Sequence, residues 1–238
     1  DKQGRATPHY PDDSDESFEL DPLTGKATYG TDRVTFWCSL PPQLDTSCSA
    51  GNPEGKPFCA PFPVAVYSHG YGSVRAEVTS YMGRQNALGM AACALDSPGH
   101  GGRAILAELK GLGASVAAEL ESYQAKNFPE AFFQGRDRDL NNDGQEDSGG
   151  DIYSADLFHT RDMLTQSALE FMQFVRILRN MDGVHKAKDG GILGDFDGDG
   201  KPDIGGSQGR IGLWGISMGG LITGILGGAE PAVDATVP

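Results

Sequence analysis

Three short apolar runs, each closed by a glycine-bearing turn, constrain this chain more than any other feature. Val64-Ala65-Val66-Tyr67 ends at Ser68-His69-Gly70-Tyr71-Gly72. Residues 89–95 end at Asp96-Ser97-Pro98-Gly99-His100-Gly101. Ile211-Gly212-Leu213-Trp214 runs into Gly215-Ile216-Ser217-Met218-Gly219. Apolar runs without alternation suit strands covered on both faces, as in a parallel sheet. Helical patterns fall between them, over residues 77–88, 104–125, 154–178 and 221–226. Gly111 and Gly113 interrupt the second of these. In the third, Leu164, Ala168, Phe171, Val175 and Leu178 share one stripe, while Asp162, Gln166, Gln173 and Arg176 fall opposite. Val34-Thr35-Phe36-Trp37-Cys38 is a further strand candidate, and Val233 to Val237 begins another. Strands alternating with helices predict an α/β fold: a mostly parallel sheet with helices on both faces.

Charge and composition narrow the class. The chain has 238 residues, with 19 Lys+Arg against 33 Asp+Glu and a net charge of −14. Nucleic acid needs a basic surface, so it is not an expected partner. Hydrophobic residues make up 38%, enough for a packed core. No apolar run is long enough to span a bilayer, so no transmembrane segment is expected. The 34 glycines and 14 prolines predict many turns and long loops. Residues 1–32 are polar and acidic, reading as an extended arm before a domain over 33–238.

Gly215-Ile216-Ser217-Met218-Gly219 has the spacing of a nucleophile elbow. A serine on a tight turn between strand and helix projects its Oγ above the sheet edge, and flanking glycines remove side chains that would collide there. The helix that follows aims its N-terminus at developing negative charge. Acyl transfer also needs two N–H donors for the tetrahedral oxygen. The Met218 amide, directly after Ser217, is one candidate, and the Tyr71 amide in the His69-Gly70-Tyr71-Gly72 turn is the other. His69 reads as a residue that orients this loop rather than as a base.

With these three motifs in this order, residues 61–238 resemble the α/β-hydrolase family. Among its branches they are most similar to secreted bacterial lipases and esterases, including the lysophospholipase-like ones. The resemblance implies a serine hydrolase acting on carboxylic esters, with lipid or lysophospholipid as the substrate class, and a structural role for His100. It also implies an acid and a histidine after the nucleophile. Here only Glu230 and Asp234 follow as acids, and no histidine follows. The expectation is therefore an N-terminal portion of the domain, completed in sheet and triad by a C-terminal fragment or a second chain. The alternative recruits His69, His100, His159 or His185 from upstream. A reading from another class is a non-catalytic, secreted calcium-binding or interaction module on the same fold.

Two acidic loops repeat one pattern, near 137–151 and 194–204. Asp139, Asn141, Asp143, Gln145 and Asp147 form one candidate ligand set. Asp195, Asp197, Asp199, Lys201 and Asp203 form the other, with residue 7 of each loop offering its backbone carbonyl. Alternating oxygen ligands with glycine at position 6 suit calcium, so up to two structural calcium ions are expected. Neither loop has the position-12 Glu of an EF-hand, and neither holds His or Cys for softer metals. Cys48 and Cys59 flank a turn-rich segment and are the candidate disulfide, whereas Cys93 in its apolar run could be a buried free thiol. No CxxC spacing occurs, which disfavours zinc. An exported protein with at least one disulfide is the expectation.

Overall fold

A computed structural model describes residues 21–27, 29–42, 58–103, 134–137, 147–149, 152–153 and 157–238. The helix expected over 104–125, the first ligand set except Asp147, Cys48 and most of the acidic arm lie outside the described residues.

The described elements begin with strands β1 (Phe36–Ser39) and β2 (Val64–Ser68), followed by a 3-10 turn over Arg75–Val78. Helix α1 (Thr79–Ala87), strand β3 (Ala91–Leu95) and the long helix α2 (Leu157–Arg179) come next. Strand β4 (Ile211–Gly215), helix α3 (Met218–Ala229) and strand β5 (Ala235–Val237) complete the series. The five strands form one mixed sheet in the order β1-β3-β2-β4-β5. β2 runs parallel to β3 and β4, and β4 parallel to β5. β1 alone is antiparallel, with Phe36 opposite Leu95. This is a general α/β architecture.

Every residue of β2 and β3 is buried, which is why neither run alternates. Tyr67 packs on Trp214 from the neighbouring β4 with ring centroids 4.3 Å apart and the planes tilted by 38°, and Tyr81 of α1 meets Trp214 edge-on at 5.0 Å. Of the apolar stripe of α2, Ala168, Phe171, Val175 and Leu178 are buried and Leu164 is half-buried. Phe174 joins them and packs on Phe36 at 5.0 Å. Asp162 departs from the expected polar face. It is buried, and Arg161 Nε donates to its carboxylate at 2.6 Å.

Cys93 is not a free thiol. Cys38 and Cys93 face each other across the β1–β3 ladder and form a disulfide, with Cα atoms 4.1 Å apart. Register put them together, not closeness in sequence. Cys59 is also disulfide-bonded.

The chain divides into two compact units. The sheet unit comprises Phe36–Tyr71, Arg75–Leu95 and Ala168–Pro238; the other comprises Asp1–Thr35, Gly72–Val74 and Asp96–Ser167. In the second unit, His100 is buried and its Nδ1–H donates to the Pro98 carbonyl at 2.9 Å. Gly149 lies against that ring, where a Cβ would come within 2.2 Å of Nε2.

In the sheet unit, Arg179 at the end of α2 ties several loops together. Its guanidinium donates to the carbonyls of Gly206, Gly209 and Ala232 and to the Asp234 carboxylate. Asp234 also accepts the Ile211 amide at 2.7 Å. These bonds hold its carboxyl below the ordinary carboxylate range, the Ile211 amide having the largest effect. Glu230 accepts the Ala232 amide and lies 3.5 Å from Arg176. The two acids after Ser217 are thus both engaged in holding loops.

Candidate functional site

Parallel pairing of β2 with β4 brings the C-terminal ends of both strands side by side, with Ser68 opposite Gly215. Open α/β sheets bind ligands at such carboxyl ends. The turn His69–Tyr71 leaves β2 there, and Ile216–Ser217 leaves β4.

Ser217 has φ +56 and ψ −117. Among the described residues it is the one non-glycine with positive φ. An L-residue in that region costs roughly 1–3 kcal/mol and persists only where the surroundings impose it. Two glycines allow them to do so. A Cβ on Gly219 would lie 1.9 Å from the Ser68 carbonyl oxygen, and one on Gly215 would lie 2.4 Å from the Gly219 backbone. Without those side chains the first turn of α3 seats directly on the end of β2. The Gly219 amide donates to Ile216 O at 2.9 Å, and the Leu221 amide to Ser217 O at 3.2 Å. Ser217 is left exposed at the apex.

Met218 is the first residue of α3, so its amide falls among those with no intrahelical acceptor. Its side chain is fully buried. Tyr71 is 45% exposed on the β2 turn. Gly70 brings that turn against the elbow, its Cβ position being 3.6 Å from Ser217 Cβ. The turn that carries Tyr71 thus meets the elbow at Gly70, and Met218 follows Ser217 directly along the chain.

His69 is fully buried, and its Nδ1–H donates to the Gly70 carbonyl at 2.9 Å. Burial pulls its pKa down to about 4, so the ring is neutral at pH 7. That geometry braces the loop. His185 is exposed and lies on Asp182, with Nδ1 3.0 Å from the carboxylate. The backbone amides of His185 and Val184 hold the Asp182 carboxyl down at about 2.

The second acidic loop folds back on itself. Carboxylate oxygens of Asp195, Asp197 and Asp203 gather within 4.8 Å of one another, a group that can hold a metal ion. Asp199 is not one of the three; its carboxylate accepts the Lys201 amide. Asp195 accepts the amides of Gly198 and Gly200, and both glycines have positive φ. Asp203 is 3% exposed and accepts the Phe196 amide at 2.8 Å. Burial raises the Asp203 carboxyl above its ordinary range. Neighbouring Asp197 and Asp199 push the same way, against the Phe196 amide. A buried carboxylate beside two others suits a hard cation with oxygen ligands. Of the first acidic loop only Asp147 is described, and Asp139, Asn141, Asp143 and Gln145 lie outside the described residues.

No family model matches the chain, and no curated protein matches it.

The glycines of the His69-Gly70-Tyr71-Gly72 turn read along the chain as room for close backbone approach, and Gly70 is the one that lies against Ser217. Its closeness to Ser217 arises from strand pairing across almost 150 positions, which no local pattern reports.

Proposed function

We propose that this protein is a serine hydrolase of α/β-hydrolase type that cleaves carboxylic esters through an acyl-enzyme, with lipid or lysophospholipid esters as the substrate class. One observation carries the reading: Ser217 is exposed in a left-handed turn at the carboxyl end of β4, beside the turn that closes β2. The antiparallel β1 at one edge and the parallel order of the other strands agree with it.

Ser217 Oγ attacks the ester carbonyl carbon, and its proton passes to a histidine base. The Met218 and Tyr71 amides hold the tetrahedral oxygen. Collapse expels the alcohol, which takes the proton from the histidine. Water then attacks the acyl-enzyme by the same route. His69 does not supply the base, because its ring is buried and committed to Gly70 O. A second chain that brings a histidine to the site supplies the base, and β5, an edge strand among the described residues, offers its strand a place to pair. Calcium is the ion held by Asp195, Asp197 and Asp203, in a structural role, and a like ion is assigned to the loop of Asp147. The Cys38–Cys93 disulfide supports an exported protein.

Ser217→Ala removes only an oxygen from the turn. In the active assembly it should lower p-nitrophenyl ester hydrolysis by at least about a thousandfold with the melting temperature unchanged. Retained turnover in the purified variant overturns the assignment. The acidic cluster favours a second reading, a calcium-binding interaction module without catalysis. A fluorophosphonate that labels Ser217 decides against it.

A further inference from the structure

Tyr67 is the last residue but one of β2, and it is fully buried. Its hydroxyl donates to the Glu77 carboxylate at 2.7 Å. Glu77 lies ten residues further on, in the 3-10 turn over Arg75–Val78. That turn is held at two more points. Arg75 is buried, its guanidinium carbon 5.3 Å from the centre of the Trp37 ring. Val78 is buried in one cluster with Tyr67, Ala92 and Ala94.

The turn His69–Tyr71 falls between the two partners of the Tyr67–Glu77 bond. Before Tyr71, the chain is fixed by the Ile216 amide, which donates to Ser68 O at 3.3 Å, and by His69 Nδ1–H on the Gly70 carbonyl. The Tyr67–Glu77 bond fixes the chain after it. The Glu77 charge reaches the same turn. After burial and the Gly70 carbonyl, it is the next influence on the His69 ring, with Arg75 opposing it.

We propose that Glu77 is a positioning residue: through Tyr67 it fixes the chain beyond the β2 turn and so keeps the Tyr71 amide aimed at the tetrahedral oxygen. An N–H donor assists only where it is held in place before charge develops. The proposal rests on the serine hydrolase reading.

The test labels the active assembly with two alkyl fluorophosphonates that differ in one atom, P=O in one and P=S in the other. With either probe the Ser217 Oγ–P bond forms, the P–F bond breaks, fluoride leaves, and the Oγ proton passes to the base. Sulfur is a weak acceptor, so amide donors assist the P=S probe far less. Intact mass and peptide mapping give the labelling rate at Ser217. The ratio of rates, P=O over P=S, should fall at least about tenfold in Glu77→Ala and in Tyr67→Phe. It should stay within about twofold of wild type in Glu77→Gln, whose amide oxygen still accepts the Tyr67 hydroxyl. A change that only loosened the fold around Ser217 would slow both probes alike. An unchanged ratio in a folded Glu77→Ala or Tyr67→Phe, with Ser217 labelled, overturns the proposal and leaves the hydrolase reading standing. So does a ratio as low in Glu77→Gln as in Glu77→Ala. Where one of the two disrupting variants loses its melting transition, the other decides. Loss of the transition in both overturns the proposal, because the bond would then serve the fold alone. No labelling of wild-type Ser217 by either probe overturns both readings.

Discussion

Ser217 and His69 are two polar residues at the same strand ends with opposite fates. Ser217 is strained and exposed, while His69 is relaxed, buried and bonded to its neighbour's carbonyl. The tight turn at Ser217 was legible because glycines on both sides let a strand pass directly into a helix. The tautomer and neutrality of His69 were not legible, because they depend on what covers the ring. Burial lowers its pKa to about 4 from an ordinary value of 6.5. An unfolded chain therefore protonates His69 below pH about 6.5, while the folded one resists until about 4. The stability it contributes is complete above about 6.5, declines as pH falls between those values, and is gone below about 4. That difference is worth about 3 kcal/mol at most. Asn can place a donor near the position of Nδ1 without titrating. Urea midpoints at pH 7 and 4.5 should therefore differ less in His69→Asn than in wild type. Equal differences would show that acid sensitivity arises elsewhere.

At the scale of elements, continuous apolar runs located β2 and β3 because strands covered on both faces leave no position that tolerates a charge, while β4 buries Ile211 and Leu213 and half-buries the residues between and after them. The helix α2 was legible from its stripe. Its first turns escaped the pattern: Asp162 is buried with Arg161, a pairing that periodicity cannot report. The direction of β1 was equally hidden, since a strand of four residues carries the same residues either way up. The Cys38–Cys93 bridge depends on that direction and register, and it closes a separation of 55 residues. Cross-linking so long a loop restricts the unfolded chain by about 4 kcal/mol in the loop-entropy account. The Cys38→Ala/Cys93→Ala pair should accordingly lower unfolding free energy by about 2–4 kcal/mol in denaturant titration. An unchanged midpoint would mean that the ladder alone holds β1.

For the whole molecule, a net charge of −14 sets a background of self-repulsion, and the loop 194–204 concentrates it. Asp195, Asp197 and Asp203 gather their oxygens within 4.8 Å. The backbone of Asp203 also accepts the Phe62 amide at 2.7 Å, beside the bridge from Phe62 to Ile204. The cluster is thereby anchored to the sheet, so an ion bound there stabilises the fold by linkage, roughly 3 kcal/mol at a hundredfold excess over Kd. Excess chelator should lower the melting temperature by several degrees, and added calcium should restore it. Asp203→Asn should blunt the response. An unchanged transition in chelator, with no calcium by metal analysis, removes the site.

Local chemistry settled what can be read along the chain: which runs are buried, where the chain turns tightly, and which loops collect oxygen ligands. Each follows from side-chain burial, backbone freedom or charge within about ten residues. Tertiary structure alone decided the strand order, the antiparallel β1, the Cys38–Cys93 pair and the approach of Gly70 to Ser217. It also decided that Asp195, Asp197 and Asp203 converge while Asp199 caps its own turn. These depend on residues far apart in sequence meeting in a particular register. A one-residue slip in that register reverses which face every side chain of a strand occupies, without changing the local pattern at all.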